Sequence, residues 1–319
     1  MIGPLVAIAA ASASGFSLRL PPASRQVGQI VIGTAIGLHF QPMVARYVAQ
    51  FSLYIWGAAF ASIALGGILS LLFARTGSIS RTTAFFASMP GGVAEMAVLA
   101  ERYGGEPGLV ALAQSIRVMF IVIVVPFALL CLHVNGTDVD TEVLLPLRPL
   151  RLVAMLAVAV SVAFVLWKLR IVNAWLLGPL AVGILVAVNE WPVSQVPQLF
   201  INASQVLIGA ALGLRFRREL ILGLQRFLPA AMLNTAILVL GSAALAVVIA
   251  AWTGLETSNL VLALAPGGVA EMSITAKVLH LGVPLVTAFH VTRMIVVILL
   301  SGPIFRGLRY FNEHRKSAT

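Results

Sequence analysis

Apolar or weakly polar segments follow one another along nearly the whole chain, with only short connections between them. A helix needs about 20 apolar residues to cross a membrane, so a chain of 319 residues allows about ten or eleven spans. Only 10% of the residues are charged and 60% are apolar, whereas about a quarter of a soluble domain is charged. The sequence therefore predicts an all-α polytopic membrane protein of about eleven helical elements, embedded in the lipid bilayer without a soluble domain. The segments lie near residues 2–18, 27–40, 50–74, 83–102, 108–133, 149–167, 174–189, 200–213, 225–252, 258–280 and 284–305.

The chain is an internal duplication. The heptapeptide Pro-Gly-Gly-Val-Ala-Glu-Met at residues 90–96 recurs at residues 266–272, and the same shift of 176 relates Arg117 to Arg293. Seven consecutive identities indicate two copies of one unit. The leading segment of the second copy, 149–167, has no counterpart in the first copy, where it would precede Met1. We expect a first repeat at 1–135, an external linker at 136–148, a second repeat at 149–308 and a basic cytoplasmic tail at 309–319.

The distribution of charge predicts that the two repeats have opposite orientations. Basic residues are concentrated in cytoplasmic connections of membrane proteins. Segment 50–74 ends at Arg75, whereas its copy 225–252 ends near Glu256, so we expect these ends on opposite sides of the membrane. The net charge of +10 comes from single basic residues between apolar runs, so it indicates topology and not a nucleic-acid-binding face. The basic connections hold Arg19 and Arg25, Arg75 and Arg81, Lys168 and Arg170, the group from Arg215 to Arg226, and the group from Arg306 to Lys316.

The repeated Pro-Gly-Gly predicts a break in each of two helices. Proline removes a backbone donor and clashes with the preceding turn, and glycine tolerates unwound backbone. Freed backbone groups must be buried in protein or line a watery cavity. A helix that begins after the break points its positive end at that cavity, which suits an anion. The alternative, an ordinary kink, is less favoured because the motif occurs twice in register with a glutamate.

Ionisable residues within apolar segments are candidates for function because burying them is costly. Glu95 and Glu271 each precede an arginine, Arg117 or Arg293, by 22 residues. Two interpretations stay open: a Glu–Arg ion pair that only fixes two helices, or a proton-accepting glutamate with an arginine as counter-charge or anion ligand. The candidate substrate- or ion-binding residues are Pro90, Gly91, Gly92, Glu95, Gln114, Arg117, Pro266, Gly267, Gly268, Glu271, His290 and Arg293.

Further polar and small residues have two open interpretations. Gln114 corresponds to His290, which either titrates near neutral pH or bonds a neighbouring helix. Gln29, Gln205 and Asn234 either line a cavity or hold helices together by hydrogen bonds. The stripes Gly33-x-x-x-Gly37 and Gly209-x-x-x-Gly213 predict close helix packing.

With the doubled heptapeptide, Leu177-Gly178-Pro179 and the paired arginines, the chain resembles the bacterial AbrB-type membrane protein family over nearly its whole length. This family is built from an AbrB duplication, and the resemblance implies a multi-pass protein of the bacterial inner membrane. Its members carry the labels AidB regulator and ammonia monooxygenase, and the residues here support neither. The five histidines lack the spacing of a metal site. We expect no metal, no cofactor, no enzyme and no direct contact with nucleic acid, unlike the soluble DNA-binding regulator of the same name.

Two functions remain as expectations. The first is a secondary transporter with inverted repeats and broken helices, which moves a small solute, with an anion among the candidates, by ion or proton coupling. The second is a membrane sensor or regulator that affects gene expression indirectly, without net transport. The chain offers such a sensor only short loops and the tail from residue 306 as an output surface. A small-molecule or ion substrate is expected in both, and a homo-oligomer is compatible with both.

Overall fold

The computed structural model describes residues 2–16, 18–21, 23–40, 42–131, 148–171, 173–191, 194–214 and 226–317. In these ranges the chain forms fourteen α-helices and no strand. The helices are α1 (Ile2–Ala13), α2 (Ala23–Gly37), α3 (Pro42–Gln50), α4 (Ser52–Thr76), α5 (Arg81–Ser88), α6 (Val93–Arg102), α7 (Pro107–Cys131), α8 (Pro149–Lys168), α9 (Ala174–Val188), α10 (Gln198–Gly213), α11 (Phe227–Thr253), α12 (Thr257–Leu264), α13 (Val269–Val278) and α14 (Val283–Ser317).

Five of these helices, α4, α7, α8, α11 and α14, are long and apolar enough to cross a membrane. A helix of 20 residues, the length of α8, spans about 30 Å, which is the thickness of the hydrocarbon core. Shorter apolar helices accompany them in α1, α9 and α10. The prediction of an all-helical, multi-pass membrane protein is confirmed.

The count of about eleven elements is corrected to fourteen helices within the described residues. Two of the additional helices arise because segments 83–102 and 258–280 are each divided at Pro-Gly-Gly, as predicted. The third is α3, a short amphipathic helix in what the sequence suggested to be a connection. Helix α14 also continues through Pro303 to Ser317, so residues 309–317 of the expected tail are helical. Except for Arg148, the expected linker 136–148 lies outside the described residues, as do Arg215, Arg217 and Arg218.

The chain forms two compact units, and neither unit is one sequence repeat. Each unit takes its helices from both halves of the duplication. Unit 1 consists of Met1–Ser52, Pro126–Gly223 and Val269–Thr287, and unit 2 consists of Leu53–Val125, Leu224–Gly268 and Ala288–Thr319.

Glycines hold the helices of unit 1 close together. A Cβ atom on Gly33 of α2 would lie 2.6 Å from Leu176 O of α9, and one on Gly37 would lie 2.8 Å from the Cα atom of Gly183. In the second repeat, a Cβ on Gly213 of α10 would lie 2.7 Å from Leu5 O of α1. Side chains larger than hydrogen do not fit at these positions. For Gly33, Gly37 and Gly213 the predicted close packing is confirmed.

In unit 2, helix α5 is held in place by contacts with α4, Tyr103 and α14. A Cβ on Gly66 of α4 would lie 3.0 Å from Ser88 O, so α4 packs directly against the end of α5. Phe86 of α5 stacks on Tyr103 with ring centroids 5.7 Å apart, and Phe305 of α14 contacts both rings. Aromatic contacts of this kind add to the apolar area that each ring buries. Helix α5 is therefore held on two sides next to the first Pro-Gly-Gly break.

Candidate functional site

The first break separates α5, which ends at Ser88, from α6, which begins at Val93. The Met89 N–H still donates to Phe85 O at 3.2 Å, and Gly91 N–H donates to Met89 O at 2.8 Å. Gly92 is the N-cap of α6 in an extended conformation, with φ −75° and ψ 149°. The backbone is thus unwound over four residues, which leaves the last carbonyl groups of α5 without helical donors.

Arg117 and Gln114 of α7 supply the missing donors. Arg117 donates through Nη1 to Met89 O at 2.7 Å and through Nη2 to Gly91 O at 2.9 Å. Gln114 Nε2 donates to Phe86 O and to Met89 O, both at 2.9 Å. The two side chains are buried, with 3% of Arg117 and 0% of Gln114 exposed. They close the end of α5 inside the membrane protein, where unpaired carbonyl groups are costly.

Arg293 likewise donates hydrogen bonds to the carbonyl groups freed at the second break. Helix α12 ends at Leu264, and Gly267 N–H donates to Ala265 O at 2.7 Å, as at the first break. Arg293 Nη1 donates to Ala265 O and Nη2 to Gly267 O, each at 2.6 Å. The duplicated arginines therefore bind equivalent carbonyl groups, at a shift of 176 residues. His290 occupies the position of Gln114 and is completely buried.

Arg117 and Arg293 lie at equivalent positions of the two repeats. Both belong to unit 2, and 5% of Arg293 is exposed. The Nε atom of each is covered and has no hydrogen-bond partner among the residues that the structure describes. Two positive charges are thus buried in one unit, each beside an unwound Pro-Gly-Gly segment.

Glu95 lies in the first turn of α6 and is half-buried. Its carboxylate folds back on the break, where Oε2 covers the Cα of Gly92 so closely that a Cβ there would collide with it. In the described residues Glu95 has no ion pair within 4.0 Å. The Glu95–Arg117 pair that the sequence suggested is therefore corrected, because Arg117 donates to carbonyl groups instead.

Glu271 occupies the equivalent position in the first turn of α13. It is more deeply buried than Glu95, with 5% of the residue exposed. Its backbone carbonyl accepts from Thr275 Oγ1 at 2.9 Å. Glu271 and α13 belong to unit 1, whereas Pro266, Gly267, Gly268 and Arg293 belong to unit 2. A Glu271–Arg293 pair stays a prediction.

The three amide side chains left open by the sequence have different surroundings. Gln29 Nε2 donates to Asn173 Oδ1 at 3.0 Å, which joins α2 to the start of α9. Gln205 lines a cavity of about 20 Å³ in unit 1, together with His39, Ser273 and Lys277. Asn234 of α11 accepts from Ser88 Oγ at 3.4 Å. Gln29 therefore holds helices together, Gln205 lines a cavity, and Asn234 lies beside the first break.

The sequence analysis did not predict that Gln114 and Arg117 donate hydrogen bonds to backbone carbonyl groups at the first break. A signal was present, because a helix ended by proline inside a membrane must find donors for its last carbonyl groups. Within the described ranges, no group of three or more His, Cys, Asp or Glu side chains lies close enough together to hold a metal ion.

Comparison with known proteins relates nearly the whole chain to one family. The family model described as "Transition state regulatory protein AbrB" matches residues 1–309. The chain is 26% identical to YhjN, an uncharacterized protein of Bacillus subtilis (strain 168), in an alignment of length 314 that spans 91% of this chain and 80% of YhjN. It is 25% identical to "Putative regulator AbrB" of Escherichia coli (strain K12) in an alignment of length 319 that spans 99% of this chain and 92% of that protein.

Proposed function

The chain belongs to the AbrB family of membrane proteins, and we propose that it is a secondary transporter for a small anionic solute. We place it in the bacterial inner membrane with a cytoplasmic C-terminus, and we propose coupling to protons or to another ion. Broken helices in duplicated, inverted repeats are typical of secondary transporters, whose solutes bind near the breaks.

The observation that carries the proposal is the pair of buried guanidinium groups of Arg117 and Arg293. Both are buried, and neither has an ion pair among the described residues of unit 2. The carbonyl ends of α5 and α12 contribute a partial negative charge of roughly half a unit each. About half of each positive charge is thus left uncompensated. A bound anion stabilises such a site, whereas a cationic solute would be repelled.

Glu95 and Glu271 supply the coupling in this proposal. Each lies in the first turn of the helix that follows a break. An ionised carboxylate there competes with an anionic solute, and a protonated one does not. Solute and proton then bind together and leave together, which gives proton-coupled transport of the anion.

The test is a screen of small anions against the purified protein, with thermal unfolding in detergent and counterflow in liposomes as readouts. Acetate, succinate, inorganic phosphate and sulfate cover the common oxyanion geometries. We expect at least one to raise the unfolding temperature and to exchange across the liposome membrane. Arg117→Gln should lose both effects, and Arg102→Gln, which changes an exposed arginine on α6, serves as the matched control.

The coupling is tested separately. For the transported anion, Glu95→Gln or Glu271→Gln should retain exchange and lose its dependence on pH. The anion proposal fails if none of the four anions changes the unfolding temperature or exchanges between pH 5 and pH 8. The coupling proposal alone fails if both glutamine variants keep the pH profile of the original protein.

A second candidate is a membrane-embedded regulator, which the name of the relative "Putative regulator AbrB" favours. Such a protein binds its ligand and affects gene expression indirectly, through a partner. Counterflow separates the two functions. A regulator shows a ligand-dependent rise in unfolding temperature without exchange of labelled solute, and a transporter shows both.

A further inference from the structure

Asn234 is an unusual polar residue. It lies in α11, a helix of 27 residues that is otherwise almost entirely apolar, and 6% of its surface is exposed. An asparagine amide has two N–H donors and an oxygen that accepts two hydrogen bonds. Among the described residues it makes one hydrogen bond, in which Oδ1 accepts from Ser88 Oγ at 3.4 Å, beyond the usual range.

The amide nitrogen of Asn234 therefore lacks a protein partner in the described part of the chain. Buried polar groups are nearly always hydrogen-bonded, and a buried donor left unpaired costs about 1–3 kcal/mol. Gln114 Oε1 and Arg117 Nε, which lie at the same break, also have no hydrogen-bond partner among the described residues.

The position of Asn234 connects it to the first break. Its partner Ser88 is the last residue of α5. The next residue, Met89, accepts the hydrogen bond from Arg117 Nη1. An unpaired amide donor and a buried positive charge thus lie beside the same unwound segment, and both belong to unit 2.

The duplication shows that Asn234 is not part of the repeated scaffold. A shift of 176 residues relates Asn234 to Ala58 and Ser88 to Leu264, so the second break has neither polar side chain. The arginines and the Pro-Gly-Gly segments, in contrast, are present in both repeats. Residues that occur once are the ones able to give a chain of two similar halves a single solute site.

From these observations we propose that Asn234 is a solute-binding residue whose amide donates to an oxygen of the anion. This inference rests on the proposed function and deepens it, because it assigns the solute to the oxyanions. One oxygen accepts from Asn234 Nδ2, and the rest of the negative charge is attracted by the Arg117 guanidinium. Solute binding is then centred on the first break.

Thermal unfolding of the purified full-length protein, titrated separately with acetate, succinate, inorganic phosphate and chloride, tests the assignment. Two variants remove the donor: Asn234→Asp keeps the shape and adds a negative charge, and Asn234→Leu keeps the approximate volume without polar atoms. Ser242→Ala, at a buried position on the same helix, is the matched control. If the aspartate variant does not fold, the leucine variant provides the comparison.

We expect an oxyanion to stabilise the original protein and the Ser242→Ala variant, with at least about tenfold weaker binding in both Asn234 variants. Equal binding in all four proteins overturns the role of Asn234 and leaves the proposed anion transport standing. Stabilisation by chloride but by no oxyanion overturns the oxyanion class. If no anion stabilises the original protein, the proposed function fails and this inference fails with it.

Discussion

Arg117 stabilises unit 2 either through the backbone carbonyl groups or through an ion pair with Glu95. A double-mutant cycle of Arg117 and Glu95 measures which of the two it is. Arg117→Met removes the only side-chain donor that Gly91 O has among the described residues, whereas Met89 O keeps Gln114 Nε2 and the Gly91 N–H. A hydrogen bond to a charged group contributes about 1.5–3 kcal/mol. We therefore expect the free energy of unfolding to fall by about 1.5–3 kcal/mol, mostly through the loss at Gly91 O.

Glu95→Gln should behave differently, because Glu95 is half-buried and has no ion pair in the described residues. We expect a change of at most ~0.5 kcal/mol, as for most substitutions away from buried partners. The double variant should then equal the sum of the single changes to within about 0.5 kcal/mol. Glu101→Gln, which removes an exposed charge from the same helix, is the matched control.

Equilibrium unfolding in mixed micelles, followed by tryptophan fluorescence, provides the four free energies. In a buried ion pair, loss of one partner would cost about 3–5 kcal/mol, and the double variant would recover much of that loss. A double variant more stable than Arg117→Met by over about 1 kcal/mol would therefore refute the backbone-donor role of Arg117.

Three other outcomes are expected. Gly91→Leu should abolish exchange while the protein still inserts, because a Cβ there already lies 2.8 Å from Met96 Cε; retained exchange would show that the unwound backbone is dispensable. Gly33→Ala should lower the free energy of unfolding by about 1–3 kcal/mol through overpacking. The control Gly57→Ala should not lower it, because a Cβ there would have no atom within 4 Å. Equal effects of the two variants on unfolding in micelles would contradict the close packing of α2 and α9. Reporter fusions after Arg81 and Glu256 should report opposite sides of the membrane, and the same side for both would remove the inverted repeats.

Local chemistry explains what the sequence predicted well. Proline and glycine act on their own backbone, so the breaks at Pro90 and Pro266 follow from residue types alone. The short helix α3 was not predicted because nine amphipathic residues resemble a connection. The length of α14 was underestimated because the apolar pattern stops near residue 305, although Arg and Lys are good helix formers.

The partners of the arginines depend on tertiary structure. Arg117 contacts carbonyl groups 26 and 28 residues earlier in the chain, and no periodicity reports such a contact. The sequence suggested a carboxylate as the partner of each arginine because glutamates can be identified from the sequence. A carbonyl group freed by a helix break cannot. The composition of the compact units was equally hidden, since it depends on contacts between the two halves of the duplication.

The exchange of helices between repeats has a consequence for biosynthesis. Gly33 of α2 packs against Leu176 of α9, 143 residues later in the chain. At about 5–20 residues per second, the ribosome needs about 7–30 s to add the intervening residues. During that interval α2 is already synthesised while its packing partner does not exist. Unit 1 therefore assembles only late in translation, and the emerging first repeat must wait in the insertion machinery or lipid for the second.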